Sequence, residues 1–271
     1  MKKYLLSFVS LLLIAAILAG CSKEAAIETA PSQSPATEST AAPELPPEET
    51  EADIVEEDAA ESEEDFVYEG DASSYYIDVA YNQQIGRYYT PLCEKWDMKQ
   101  YLANELSPLP CSYYEGNPLD NVGFGFLDLD NDGYWELIIG GILNAEEDPS
   151  VFEIWTLKDG EPVMLAQGSD GNRYVLQYVE EDEMWYVVNE NSNSVDNFAT
   201  YYLMLQDGKF EVVQGILYDA LADAQNPWFM THDLDWNISN DDPMDEETAE
   251  SILEINRNFY TAVEYFPYIF Y

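Results

Sequence analysis

Asp128, Asp130, Asp132 and Glu136 are the residues whose types and spacing point most directly to chemistry. They lie in the run Asp128-Leu129-Asp130-Asn131-Asp132-Gly133-Tyr134-Trp135-Glu136, with an aspartate at every second position and then a glycine. A hard divalent cation such as Ca²⁺ takes six to eight oxygens at roughly 2.3–2.6 Å, and flexible carboxylates supply them. A chain curling round an ion turns alternate side chains inward, which makes Asp128, Asp130 and Asp132 ligands at loop positions one, three and five. Gly133, at position six, accepts a sharp turn that a Cβ would resist. Tyr134 then offers its carbonyl and Glu136 a carboxylate. The competing reading is a solvated acidic turn, because Asp, Asn and Gly all favour turns. Three clustered carboxylates without a counter-ion repel one another, which favours the ion. A single structural Ca²⁺ site is the expectation.

The residues around this run decide what positions it. A helix–loop–helix calcium site needs a glutamate at position twelve, and that position is Ile139. Before the run, Val122, Phe124 and Phe126 alternate with Gly123, Gly125 and Leu127; after it, Tyr134 to Ile139 is aromatic and β-branched. Both flanks read as strands. The unit is therefore strand, calcium loop, strand, with Glu136 already on the outgoing strand. It resembles the calcium loops of FG-GAP/VCBS and integrin-α-type repeats, and the Asp-x-Asp-x-Asp-Gly-x-x-Glu-Leu segment of many secreted bacterial proteins, with Leu137 completing the pattern. The resemblance covers about twenty residues and occurs once, so a repeat-built propeller is not implied.

The rest of the chain beyond Ser73 reads as one α+β domain over residues 73–271. Tyr75 to Tyr89 is helical in pattern, with Thr90 suited to cap a following helix and Pro91 to open it. Asp97 and Gln100 form a capping-box pair, and Met98, Tyr101, Leu102 and Leu106 share a face of the helix it opens. After the calcium unit come short strands: Val151 to Leu157, Pro162 to Ala166, Arg173 to Tyr178, Met184 to Asn189, Phe198 to Leu205 and Phe210 to Gly215. Asp159-Gly160 and Asp207-Gly208 suit tight hairpins. Asp242-Pro243 is expected to open a C-terminal helix, with Ile252, Ile255, Phe259, Val263 and Phe266 on one stripe up to Pro267. The expected fold is an antiparallel β-sheet meander carrying the strand–calcium loop–strand unit, packed by N-terminal and C-terminal helices.

The first residues carry an address rather than a fold. Met1-Lys2-Lys3 is a short basic start, Tyr4 to Leu18 is almost wholly apolar, and Leu18-Ala19-Gly20-Cys21 follows. This describes a secretory signal over residues 1–20. Its ending resembles the bacterial lipobox, which implies diacylation of Cys21 and anchorage to the outer face of the cell membrane. Two or more acyl chains, at ~0.8 kcal/mol per buried CH₂, hold a soluble domain stably. Residues 21–72 are rich in Glu, Asp, Ala, Ser, Thr and Pro and poor in large apolar side chains, too poor to offset chain entropy. They read as a disordered tether of about 40 Å r.m.s. span, extended further by like charge and proline. The formal charge of the chain is −44, which opposes nucleic acid and anionic head groups. Partners are expected to be the membrane, through Cys21, and a surface protein or glycan, with no nucleic acid.

With Cys21 acylated, Cys93 and Cys111 remain as a pair for which a helix-to-loop disulfide and two unpaired thiols both stand open. The single histidine, His232, sits among Asp233, Asp235 and Asn237. These mimic the first half of a calcium loop, although Ile238 at position six resists the required turn. Asn189, Asn191, Asn193 and Asp196 read as a hairpin loop. Tyrosines cluster early (Tyr75, Tyr76, Tyr81, Tyr88, Tyr89, Tyr113, Tyr114) and late (Tyr260, Tyr265, Tyr268, Tyr271). They serve either as the rim of a core or as an aromatic surface for a glycan or protein. No Ser/His/Asp array, phosphate-binding glycine loop or zinc spacing is present. The expected function is a lipid-anchored, extracytoplasmic, non-catalytic calcium-binding module. A glycan- or solute-binding lipoprotein and a secreted hydrolase are the alternatives.

Overall fold

Alternation along the strands sorts most of the large apolar residues into two main cores, beside two smaller clusters. Leu137 and Ile139 belong to one, with Tyr81, Tyr88, Leu92 and Phe152; Ile138, between them, belongs to the other, with Ile154, Leu176, Val187 and Leu203. Side chains alternate across a strand, so one strand serves both faces. The computed structural model describes residues 72–143, 149–180 and 182–271. The expected signal at 1–20, the expected acylation site Cys21 and all of the expected tether but Ala72 lie outside the described residues. No helix among the described residues is long and apolar enough to cross a membrane.

The strands are β1 Val122–Leu127, β2 Glu136–Gly141, β3 Val151–Lys158, β4 Glu161–Gln167, β5 Asn172–Val179, β6 Met184–Ser194, β7 Asn197–Gln206, β8 Lys209–Asp219, β9 Trp228–Thr231, β10 Asp242–Pro243 and β11 Phe266–Pro267. They form one antiparallel sheet in the order β10-β9-β8-β7-β6-β5-β3-β2-β1-β11, with β4 paired to β3 off that path. A large antiparallel sheet with few helices fits the α+β expectation. From β5 to β9 it is a plain meander, as the short spacings require. Asp159 and Gly160 (φ 54° and 79°) and Asp207 and Gly208 (φ 52° and 70°) turn the β3–β4 and β7–β8 hairpins in the left-handed region.

The N-terminal segment is a chain of short helices: α1 Ala72–Tyr75 running into a wide turn Tyr76–Ala80, then α2 Asn82–Gly86, α3 Tyr89–Glu94 and α4 Met98–Ala103. Asp97 and Gln100 form the expected capping box at α4. Helix α3 starts at Tyr89, without a side-chain cap, so Thr90 and Pro91 lie inside its first turn instead of at its boundary. Tyr101 and Leu106 are buried as expected, but Met98 and Leu102 are exposed because α4 ends at Ala103.

The C-terminal region departs from its apolar pattern. Asp242-Pro243 is not a helix start; it pairs with Phe229 and Met230 as β10. Helix α5 runs Glu246–Arg257, capped by Asp245, whose side chain accepts from the Thr248 amide. Its buried residues are Ala249 and Leu253, which pack with Ile216 and Trp228. Phe259 and Phe266 are about half exposed. The stripe breaks because residues 263–266 run across Gly123 and Gly125, with Phe266 and Pro267 pairing to β1. A Cβ on Gly125 would meet the Glu264 carbonyl at 2.7 Å and one on Gly123 the Phe266 carbonyl at 2.8 Å, so the glycines of β1 admit this segment.

Candidate metal centre

The acidic run is the loop of the β1–β2 hairpin. Leu127 and Glu136 are the last paired residues on either side, and residues 128–135 connect them. Leu129 is fully buried and anchors the loop on the second core. Asn131 (φ 58°) and Gly133 (φ 89°) take left-handed conformations, the latter at the position where the spacing calls for glycine. The amides of Asp132 and Gly133 donate to the two oxygens of Asp128, each at 3.1 Å. These bonds wrap the backbone around the first carboxylate.

Glu136 opens β2 and is buried, although charged glutamates are rarely so without a partner. Its Oε2 accepts from the Leu129 amide at 2.9 Å and its Oε1 from Thr156 Oγ1, also at 2.9 Å. Burial pushes its carboxyl up to about 7 from an ordinary 4.5, outweighing those two bonds, and the charges of Asp130 and Asp132 add to the rise. Asp130 is also raised, first by burial and then by Asp132 and Asp128. Its Oδ1 is buried and has no hydrogen-bond partner. Oxygen atoms of Asp128, Asp130 and Glu136 all lie within 4.8 Å of one another, so this group can hold a metal ion. Neither ion pair among the described residues, Lys209–Glu211 or Arg257–Glu190, brings a cation to the loop.

Of the five residues expected to contact an ion, the structure gathers three carboxylates. Asp132 stands apart, with its Oδ1 accepting from the Tyr134 amide at 2.7 Å. Tyr134 is largely exposed. Thr156, which orients Glu136, comes from β3 and carries no signal in the local pattern. Two further supports are also non-local. Asn131 Nδ2 donates to the Glu183 carbonyl at 3.1 Å, and Trp135 is held by tyrosines of the N-terminal segment, with Tyr81 donating to its carbonyl at 3.0 Å.

Other candidates fall elsewhere. Cys93 and Cys111 are free thiols; Cys93 is exposed, while the Cys111 Sγ lies 3.5 Å from the Trp96 carbonyl, so the helix-to-loop disulfide is not made. Asn189, Asn191 and Asn193 are strand residues of β6, and of that group Asp196 alone falls in the β6–β7 turn. The tyrosine clusters are mainly interior: Tyr76, Tyr81, Tyr88, Tyr113 and Tyr268 are buried in the first core. His232 is exposed in the β9–β10 loop. Comparison with protein-family models, with curated proteins and with solved structures finds no match.

Proposed function

We propose that this protein is a lipid-anchored, extracytoplasmic binding module whose β1–β2 hairpin is closed by a calcium ion. The observation that carries the metal reading is Asp130 Oδ1, a buried oxygen with no hydrogen-bond partner beside two other carboxylates. A buried unpaired acceptor is unfavourable, and like charges beside it add to the penalty. A divalent ion removes both. All-oxygen donors suit a hard cation, and exposed loop positions such as Asp132 and Tyr134 suit the flexible coordination of Ca²⁺ better than the strict octahedron of Mg²⁺. The resemblance of the run to FG-GAP/VCBS-type loops supports the same ion. In this reading the metal is structural, Asp128, Asp130 and Glu136 bind it directly, Asp132 and the Tyr134 carbonyl complete the shell, and the protein does no chemistry of its own.

The address rests on Leu18-Ala19-Gly20-Cys21 and the basic-then-apolar residues before it. An acidic tether then holds the domain off the membrane for a surface protein or glycan. Calorimetric titration of the full chain tests the metal. Calcium binds with a dissociation constant on the order of 10⁻⁴–10⁻³ M, typical of extracellular modules, and Asp130→Asn removes that equivalent. An identical titration in Asp130→Asn overturns the ligand assignment. Mass spectrometry of the N-terminal peptide tests the anchor, which requires acyl mass on Cys21.

A further inference from the structure

Tyr201, Gly215 and Thr231 form one row across three strands: Tyr201 pairs with Gly215 between β7 and β8, and Gly215 with Thr231 between β8 and β9. Gly215 has no side chain, and the Tyr201 ring lies over it. A Cβ there would meet Tyr201 Cδ1 at 2.8 Å and Thr231 Cγ2 at 2.5 Å. The tyrosine thus crosses β8 to the end of β9, where the chain leaves into the β9–β10 loop. Tyr201 is 1% exposed, and its hydroxyl has no hydrogen-bond partner. The charges it senses there are those of Asp233, Asp241 and Asp235. Asp241 Oδ2 is likewise buried and unpartnered. The β9–β10 register, Asp242 opposite Met230, sets Asp241 level with the fully buried Thr231.

We propose that the β9–β10 loop is a second divalent-cation site, in which Asp233, Asp235 and Asp241 supply carboxylate oxygens over a floor made by the hydroxyls of Tyr201 and Thr231. The spacing supports this. Counting Asp233 as one, Asp235 is three, Asn237 five and Asp241 nine, the same offsets that place Asp128, Asp130, Asp132 and Glu136 in the first loop. Ile238 occupies the position where the first loop has Gly133. Here the chain turns through a single helical turn, Ile238–Asn240, and still delivers residue nine. One oxygen of Asp233 and one of Asp235 accept backbone amides, from Asp235 at 3.0 Å and from Asn237 at 2.7 Å. The second oxygen of each remains for an ion. The Tyr201 hydroxyl comes from β7, outside the acidic loop, and a bound hard cation or its water gives this orphaned group a partner. Three carboxylates exclude an anion, and the all-oxygen set selects calcium over softer metals. Among the described residues only the first loop's carboxylates already converge within 4.8 Å. Calcium at the second loop therefore draws the exposed Asp233 and Asp235 onto the buried half formed by Asp241, Thr231 and Tyr201.

Counting bound Ca²⁺ on the full chain, by titration calorimetry and native mass spectrometry, tests the assignment. Asp233→Asn/Asp235→Asn alters two exposed side chains and keeps the oxygens that accept the loop amides, so the fold is retained. The wild-type chain is expected to bind two equivalents tighter than its background, and this double variant one. Tyr201→Phe keeps the ring and weakens that same equivalent several-fold. Equal stoichiometry and affinity in the wild type and both variants overturn the second site. The loss in the double variant is read independently of Asp130→Asn, so failure of the first site and failure of the second give different results.

Discussion

The phenol of Tyr76 lies against the indole of Trp135, ring centroids 5.3 Å apart and planes 19° from parallel, and the Trp135 amide donates to the Tyr76 hydroxyl at 3.1 Å. Trp135 is the last residue of the acidic loop, directly before Glu136. The N-terminal helices within residues 72–94 are thereby fastened to the acidic loop at the residue next to the buried Glu136. Stacked rings add roughly 0.5–1.5 kcal/mol beyond their burial. Tyr76→Phe keeps the stack but removes the acceptor, and is expected to destabilise the fold by about 1 kcal/mol and to weaken calcium binding several-fold. Chemical denaturation and a calcium titration of this variant check both. Unchanged affinity would mean that the helices and the loop are not coupled.

Asp130→Asn is expected to change sign with the metal. In chelator it removes a like charge from a cluster that lacks a cation, so the variant is as stable as the wild type or slightly more so. In excess calcium the wild type gains binding free energy that the variant does not, and the order reverses. Melting curves in both buffers measure this. Equal destabilisation in both would mean that Asp130 serves packing and not an ion.

Thr156 reaches Glu136 from β3, twenty residues along the chain. Removing a group that orients a metal ligand typically costs 10–100-fold in affinity. Thr156→Val keeps the shape and should lower calcium affinity by about tenfold, with strand content unchanged by circular dichroism. An unaltered dissociation constant would remove Thr156 from the centre.

The pH dependence follows from Glu136. Its carboxyl titrates near 7 in the folded protein, above its ordinary 4.5, so the folded state holds the proton more tightly. Its contribution to the stability of the metal-free protein is complete below about pH 4.5 and is lost as pH rises through about 7. Calcium requires the ionised form and displaces that proton. The melting-temperature gain from calcium should therefore be small near pH 5 and reach its full size above about pH 8. A gain independent of pH over that range would show that Glu136 is not a ligand.

What was legible in the sequence was local. The capping box at Asp97, the two Asp-Gly turns and the strand flanks of the acidic run depend on neighbours within a few residues, and each formed as expected. Glu136 was readable as a residue of the outgoing strand because Tyr134, Trp135, Ile138 and Ile139 around it favour a strand, although the strand begins at Glu136 and not at Tyr134. The C-terminal stripe misled because its last third is claimed by the sheet. The helix ends at Arg257, and backbone pairing of Phe266 and Pro267 to β1, over Gly123 and Gly125, overrides the helical spacing from Phe259 onward. Asp242-Pro243 was similarly taken into β10. Thr156 and Tyr76 were invisible to spacing because their partners lie twenty and fifty-nine residues away. Asp132 matched the ligand pattern, yet its carboxylate is turned to the Tyr134 amide.

The most direct test is the thermal melt of the full chain with calcium, with magnesium and with chelator. At a hundredfold excess over the dissociation constant, binding to the folded state alone adds about 2.7 kcal/mol, a shift of several degrees for a domain of this size. That shift is expected with calcium and little of it with magnesium, and in Asp130→Asn it is expected to fall to whatever the β9–β10 loop alone contributes. Superimposable melts in calcium and chelator would contradict it and leave residues 128–136 as an acidic hairpin loop.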